Sequence, residues 1–324
     1  MVDKRETLLS VRDLEVAFTL REKTLTAVNK VSFDLDRGQR LGIVGESGAG
    51  KSVTGFGIIN LISKPGFISG GAILFEGVDL AKLSLEEMRQ IRGNRISMIF
   101  QDPMMTLNPV LTVGTQMVET LLAHRNITKK EAEEIALEKI RKVAIPSPEK
   151  RLRQYPHEFS GGMRQRIVIA IALLTSPSLI IADEPTTALD VTIQADIMEL
   201  LLSLCESEEM ALILITHDLA VVSQVAERIA VMYAGSIVEL AETHQIVTHP
   251  QHPYTQGLLA ALPQNVSRKG RLNQIPGTMP GISNLSSGCA FSNRCSLCEQ
   301  ICLDKSPVLT RKSSGGLAAC HLVK

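Results

Sequence analysis

The 324-residue chain has no excess charge of either sign, with 34 Lys and Arg against 34 Asp and Glu. Proteins that hold nucleic acid usually carry a basic excess or stripe to neutralise phosphates, so the balance argues against that class. Long apolar runs are missing too. None reaches the roughly 18 residues that a membrane span needs, and the richest stretch, Ile167 to Ala182, is broken by Thr175-Ser176-Pro177-Ser178. The charged start Met1-Val2-Asp3-Lys4-Arg5-Glu6 leads into alternating residues without a secretory apolar core. A cytosolic protein is expected, reaching any membrane through a partner. Cysteine is scarce until the end, five of six falling between 289 and 320. In a reducing compartment such cysteines point to metal, redox or core thiols rather than disulfides.

What is present begins with a 44% apolar composition, enough for a full core in one large domain plus an extension, or in two modest domains. Gly45-Glu46-Ser47-Gly48-Ala49-Gly50-Lys51-Ser52 reads G-x-x-x-x-G-K-S, a phosphate-binding loop. The apolar run Arg40 to Val44 before it predicts a buried strand, and Val53 to Ile62 after it a helix. Backbone amides must curl around an anion at a helix N-terminus, which requires that context. Lys51 is then placed to reach the outer phosphates, and the Ser52 hydroxyl to ligate Mg²⁺.

Alternation predicts strands over Leu8 to Phe18 and Ala27 to Leu35, with a shorter one at Gly70 to Gly77. Ile96 to Phe100 reads as a strand ending at Gln101, and Met104 to Pro109 as a loop with exposed apolar residues. A helical pattern follows as far as Pro156. Within it Thr128 and Glu131 form a capping box, ahead of Ala132, Ala136, Ile140 and Val143 on one face. Ser160 is placed to cap an apolar helix over Ile167 to Leu174, while Gly161 and Gly162 leave its first amides uncovered, a second anion site. Leu179 to Ala182 reads as a buried strand delivering two acids to its C-terminal end. Asp183 suits Mg²⁺, and Glu184 suits the orientation and deprotonation of an attacking water. A helix over Thr192 to Leu204 ends at Cys205, a core thiol. The strand Ala211 to Ile215 then brings His217 to the sheet edge expected for Asp183 and Glu184.

In this order the segments resemble an ATP-binding cassette (ABC) ATPase, over about residues 8 to 263. The resemblance implies an α/β P-loop NTPase core with an antiparallel β subdomain, an inserted helical subdomain over about 103–176 and a cysteine-rich C-terminal extension. It implies a division into a nucleotide-binding domain, 1–245, and an extension, 246–324. By position, Gly45 to Ser52 is the phosphate loop and Gln101 the glutamine between Mg²⁺ and the transport subunit. Ser160 to Met163 is the signature, Asp183 the Mg²⁺ aspartate, Glu184 the general base and His217 the switch histidine. Phe18 stands where a base-stacking aromatic is expected, and Ala188-Leu189-Asp190 where a loop crosses the dimer. The family sandwiches two ATPs between the phosphate loop of one subunit and the signature of the other.

Phe159-Ser160-Gly161-Gly162-Met163 departs from the common Leu-Ser-Gly-Gly-Gln, but looks like the version of peptide importers, as do Gln101-Asp102-Pro103-Met104 and His252-Pro253-Tyr254-Thr255. The implied partners are a second, paralogous ATPase subunit, two membrane permeases and, indirectly, an extracytoplasmic binding protein, with no nucleic acid. The implied place is the cytoplasmic face of the inner membrane. Glutathione or nickel as cargo, or a non-transport ABC ATPase, are the alternatives.

After Pro263 the composition shifts to Gly, Pro, Ser and Asn, which bury little apolar surface, so metal cross-linking is the natural way to order the tail. Cys289, Cys295, Cys302 and Cys320 resemble the pattern in which importer ATPases hold a [4Fe–4S] cluster. Cys295-x2-Cys298 with His321 offers zinc instead, and a tail without metal is the remaining alternative. Nothing in the sequence ties the tail to the ATP site, which suggests a structural or redox-sensing role.

Overall fold

The structure, a computed structural model, describes residues 6–20, 23–187, 189–262, 274–285, 287–313 and 315–323. Its elements begin with β1 (Thr7–Leu20), β2 (Lys23–Asp36), β3 (Arg40–Val44), α1 (Lys51–Ile58), β4 (Gly66–Phe75) and β5 (Val78–Asp79). Next come α2 (Leu85–Ile91), β6 (Ile96–Ile99), α3 (Pro103–Thr106), α4 (Val113–His124), α5 (Lys129–Lys142), α6 (Pro148–Arg151) and α7 (Gly161–Ala172). Then follow β7 (Leu179–Asp183), α8 (Val191–Ser207), β8 (Ala211–Thr216), α9 (Leu219–Val225), β9 (Arg228–Tyr233) and β10 (Ser236–Glu242). The chain closes with α10 (Thr243–Thr248), α11 (Pro253–Ala260), α12 (Gln300–Asp304), β11 (Thr310–Arg311) and β12 (Leu317–Ala318). Two compact units result, one of residues 1–36, 40–82 and 214–324, the other of 37–39 and 83–213.

In the first unit β2, β1, β4 and β5 form an antiparallel sheet in that order. Leu9, Val11, Leu14 and Val16 supply its buried face, matching the alternation in the sequence. A second set of strands runs β11, β12, β10, β9, β3. Here β3 lies parallel to β9, with Ile43 opposite Ala230, and buries Leu41, Ile43 and Val44. A side chain at Gly42 would collide with Val222 of α9, so glycine is what lets that helix lie on the strand. The β9–β10 hairpin carries no Asn-Gly and was not read from the sequence. Its turn is Ala234-Gly235, with φ of 46° and 85°, the left-handed pair that such hairpins need.

In the second unit β6 and β7 are parallel. The capping box at Thr128 and Glu131 is formed, and α5 buries Ala132, Ala136 and Ile140, with Val143 following. Two expectations fail nearby. Residues 103–106 are helical rather than a loop, because Pro103 takes the first position and the Asp102 carboxylate accepts from the Met104 amide at 2.8 Å. Leu107, expected on the surface, is buried, whereas Met104 and Met105 are 52% and 86% exposed. The helix read from Ile167 in fact starts at Gly161, so both glycines belong to it.

Candidate functional site

The phosphate-loop motif lies wholly in the first unit, between β3 and α1. At Gly45 a side chain would strike the Met232 carbonyl, and Gly48 and Gly50 hold φ of 83° and 98°, which other residues adopt only with strain. Gly50 caps α1, whose first turn carries no acid, so its amides face an environment suited to an anion. Lys51 is buried, and its ammonium donates to the Gly45 and Glu46 carbonyls at 2.9 and 3.1 Å. Ser52 follows in the same turn; Ala49 is buried, and Ser47 is exposed. The Glu46 amide donates to the Tyr254 hydroxyl at 2.9 Å, and its carboxylate accepts from Arg294. Burial pushes the Tyr254 hydroxyl up in pKa, keeping it neutral. In the same unit Phe18 is half-buried with its ring against Gly66, and His217 is exposed directly after β8.

The second unit holds the acids. Parallel pairing sets Ile99 opposite Ala182, so Gln101 and Glu184, each two residues on, leave the sheet side by side. The Gln101 amide donates to Glu184 Oε2 at 3.3 Å, and the Thr187 hydroxyl to the same oxygen at 2.9 Å. Glu184 itself has a φ of 44°, an uncommon conformation for a residue with a side chain. Asp183 is buried at the end of β7. Ser160 caps α7, accepting from the Met163 amide at 3.4 Å. Gly161 faces Leu189, and a side chain at Gly162 would crowd Ile193 of α8. Asp190 is exposed at the start of α8; Ala188 lies outside the described residues. Thr187 was missed in the sequence, where nothing sets a threonine apart after two acids.

The tail belongs to the first unit, with β12 antiparallel to β10 through Leu240 and Leu317. Cys289, Cys295, Cys302 and Cys320 line one small cavity of about 10 Å³ together with His252 and His321. Cys298 is not among its walls. Burial first, then the neighbouring thiols, raise Cys289 and Cys295 above the usual thiol range. Four sulfurs around one space is the right donor set for a thiolate-bound group. The space is nevertheless only about that of a water, and among the described residues no group of three or more His, Cys, Asp or Glu is arranged to hold a metal ion.

Residues 28–187 match the family model described as ABC transporter, and residues 238–302 the one described as oligopeptide/dipeptide transporter, C-terminal region. The oligopeptide transport ATP-binding protein OppD of Bacillus subtilis (strain 168) is 51% identical, over 94% of this chain and 86% of its own length. This chain belongs to the ABC transporter family. The dipeptide transport ATP-binding protein DppD of the same organism is 50% identical over 98% of this chain and 95% of its own. The solved dimeric structure of the ATP-binding cassette MJ0796 bound to ADP and Pi matches with a TM-score of 0.66 and 26% identity, covering 73% of this chain and 99% of that one. The family's cassette fold accounts for the mixed α/β architecture.

Proposed function

We propose that this chain is the ATP-binding and ATP-hydrolysing subunit of an importer for oligopeptides or dipeptides. The observation that carries the reading is the match of residues 238–302 to the peptide-transporter C-terminal region behind an ABC cassette. Among the described residues no helix is long and apolar enough to cross a membrane, so permease subunits supply the path. The chain then sits on the cytoplasmic face of the membrane, paired with a second, paralogous cassette and served by an extracytoplasmic binding protein. Residues 1–245 are the cassette, with a helical part over 103–176, and 246–324 its extension.

In the first unit the amides of Gly45 and of Ser47 to Gly50, with Lys51, take the phosphates, Ser52 a magnesium ion, Phe18 the base and His217 the γ-phosphate. In the second, Asp183 and Gln101 serve magnesium, which on binding neutralises phosphate oxygens. Ser160, Gly161, Gly162 and Asp190 meet the nucleotide of the facing cassette. Glu184 is the base: it takes a proton from water as the water oxygen attacks the γ-phosphorus and ADP departs. The Gln101 and Thr187 donors support this assignment, since both bond to the Glu184 carboxylate and fix its aim. Glu184→Gln keeps ATP bound while steady-state hydrolysis falls about 100-fold or more. Unchanged turnover would remove Glu184 as the base.

For the tail we assign Cys289, Cys295, Cys302 and Cys320 as ligands of a [4Fe–4S] cluster, with zinc the alternative. Their spacing and shared cavity support the donor set. Loading requires the thiols to part and ionise. Iron, sulfide and zinc measured on anaerobically purified protein decide it: iron and sulfide in equal amounts, lost in Cys302→Ser, support the cluster. Metal-free protein refutes both.

A further inference from the structure

Arg294 comes from the segment that carries the cysteines and immediately precedes Cys295, yet it ends in the phosphate loop. Its Nη1 donates to both carboxylate oxygens of Glu46 at 3.1 and 3.0 Å, and to the Tyr233 hydroxyl at 3.4 Å. Two further bonds tie the guanidinium to its own segment, from Nε to the Pro276 carbonyl at 2.8 Å and from Nη2 to that of Ile275 at 3.4 Å. The Tyr233 ring lies below it, 5.8 Å from ring centre to guanidinium carbon. The Arg294 side chain is only 6% exposed, and that of Glu46 31%. Met279 of the same segment approaches Gly48, so the tail touches the loop at two places.

Glu46 is an awkward residue where it stands. A carboxylate in a loop whose amides and lysine are built to hold a triphosphate repels that ligand. Its amide is already committed to Tyr254, so the backbone at this position is not what takes the phosphates. Something must neutralise the side chain and draw it aside. Arg294 does both, at the distance of a charge-assisted pair. Burial works against the charge of Arg294, and the hydrogen bonds to Glu46 and Tyr233 together with their charges more than offset it.

We propose that Arg294 is a positioning residue of the nucleotide loop: it neutralises Glu46 and holds its carboxylate away from the incoming phosphates, so that the cysteine-bearing tail sets the affinity for ATP. This rests on the reading of Gly45 to Ser52 as the ATP loop. It also corrects the expectation that nothing links tail and ATP site. Because binding linkage is reciprocal, ATP and any group held by the tail thiols strengthen or weaken one another through this pair.

The test is nucleotide affinity and steady-state kinetics of the full chain, with the fold of each variant checked by circular dichroism. Removing the cation while leaving the acid, in Arg294→Gln, raises the Kd and KM for Mg-ATP about tenfold, with kcat changed much less, as an uncompensated like charge does. Removing the acid as well, in E46Q/R294Q, restores most of that affinity, and raised salt narrows the Arg294→Gln defect. A structural role predicts the opposite, a double variant as weak as the single one. That result, or an unchanged Kd in folded Arg294→Gln, overturns the proposal. Should Arg294→Gln fail to fold, Glu46→Gln alone decides: affinity at or above the native level supports the proposal, and a tenfold loss refutes it. Lys51→Ala is the control on the loop itself. If it binds ATP as the native chain does, the loop reading fails; if it loses ATP while Arg294→Gln does not, only the role of Arg294 fails.

Discussion

The phosphate loop and the cysteine-bearing tail are both irregular backbone in one unit, and they are held by opposite means. In the loop the constraint is local. Gly45, Gly48 and Gly50 permit a path that other residues cannot follow, and β3 and α1 fix both ends within a dozen residues. In the tail local structure is slight: α12 has five residues and β11 and β12 two each. What orders it is reach across the chain. Phe291 packs edge-on against Tyr233 at 5.2 Å and beside Tyr254 at 5.5 Å, Arg294 grips Glu46, and β12 adds to β10. A segment of the first kind announces itself by spacing. One of the second kind can be understood only from its partners.

The largest effect that separates the two comes from the aromatic cluster. Phe291 is buried against two tyrosines that the rest of the unit supplies, so Phe291→Ala leaves a hole rather than a wetted surface. The expected cost is about 3 kcal/mol, the usual size for deleting a buried phenyl ring. Urea unfolding of the full chain measures it. If the tail were ordered by its own short elements and thiols, the midpoint would barely move, and the contrast drawn between the two regions would fall.

The same contrast explains what could be read from the sequence. Strands β1, β2, β3, β7 and β8 follow from alternation or short apolar runs, and the capping box of α5 from two residues three apart. Arg294 and Tyr254, which bond to Glu46, and Thr187, which bonds to Glu184, left no such trace. Arg294 lies 248 positions from Glu46, and Tyr254 lies 208 away, so neither pairing has a period or a spacing to detect. Thr187 is close in sequence to Glu184, but a threonine after an acid is ordinary. Composition misled in one respect, because a tail rich in Gly, Pro, Ser and Asn suggested little burial. Yet Phe291, Cys302 and Ala318 are all buried, Phe291 by aromatic rings from other elements. Leu107 went wrong for a related reason: an apolar residue in an expected loop was assigned to the surface, while the turn after α3 folds it inward.

A smaller effect sharpens the comparison at the root of the tail. Glu239 of β10 is buried and accepts the amides of Gln251 at 2.7 Å and His252 at 2.8 Å, fixing the turn that leads into α11 and hence to Tyr254. Burial raises its pKa above the ordinary glutamate value of 4.5, and those hydrogen bonds only partly oppose the rise. A carboxyl whose folded pKa is raised contributes stability that is fully present below its unfolded pKa and is lost as pH rises through the folded value. The native chain therefore loses stability from this group as pH climbs above about 4.5. Glu239→Gln, which cannot ionise, should remove that part of the slope. Urea midpoints of both chains between pH 4.5 and 8 give the answer in their difference: the two curves converge toward acid and separate toward base, with the variant gaining on the native chain. Parallel curves would mean that the hydrogen bonds balance the burial, and that this anchor of the tail is as indifferent to pH as the glycines that shape the loop.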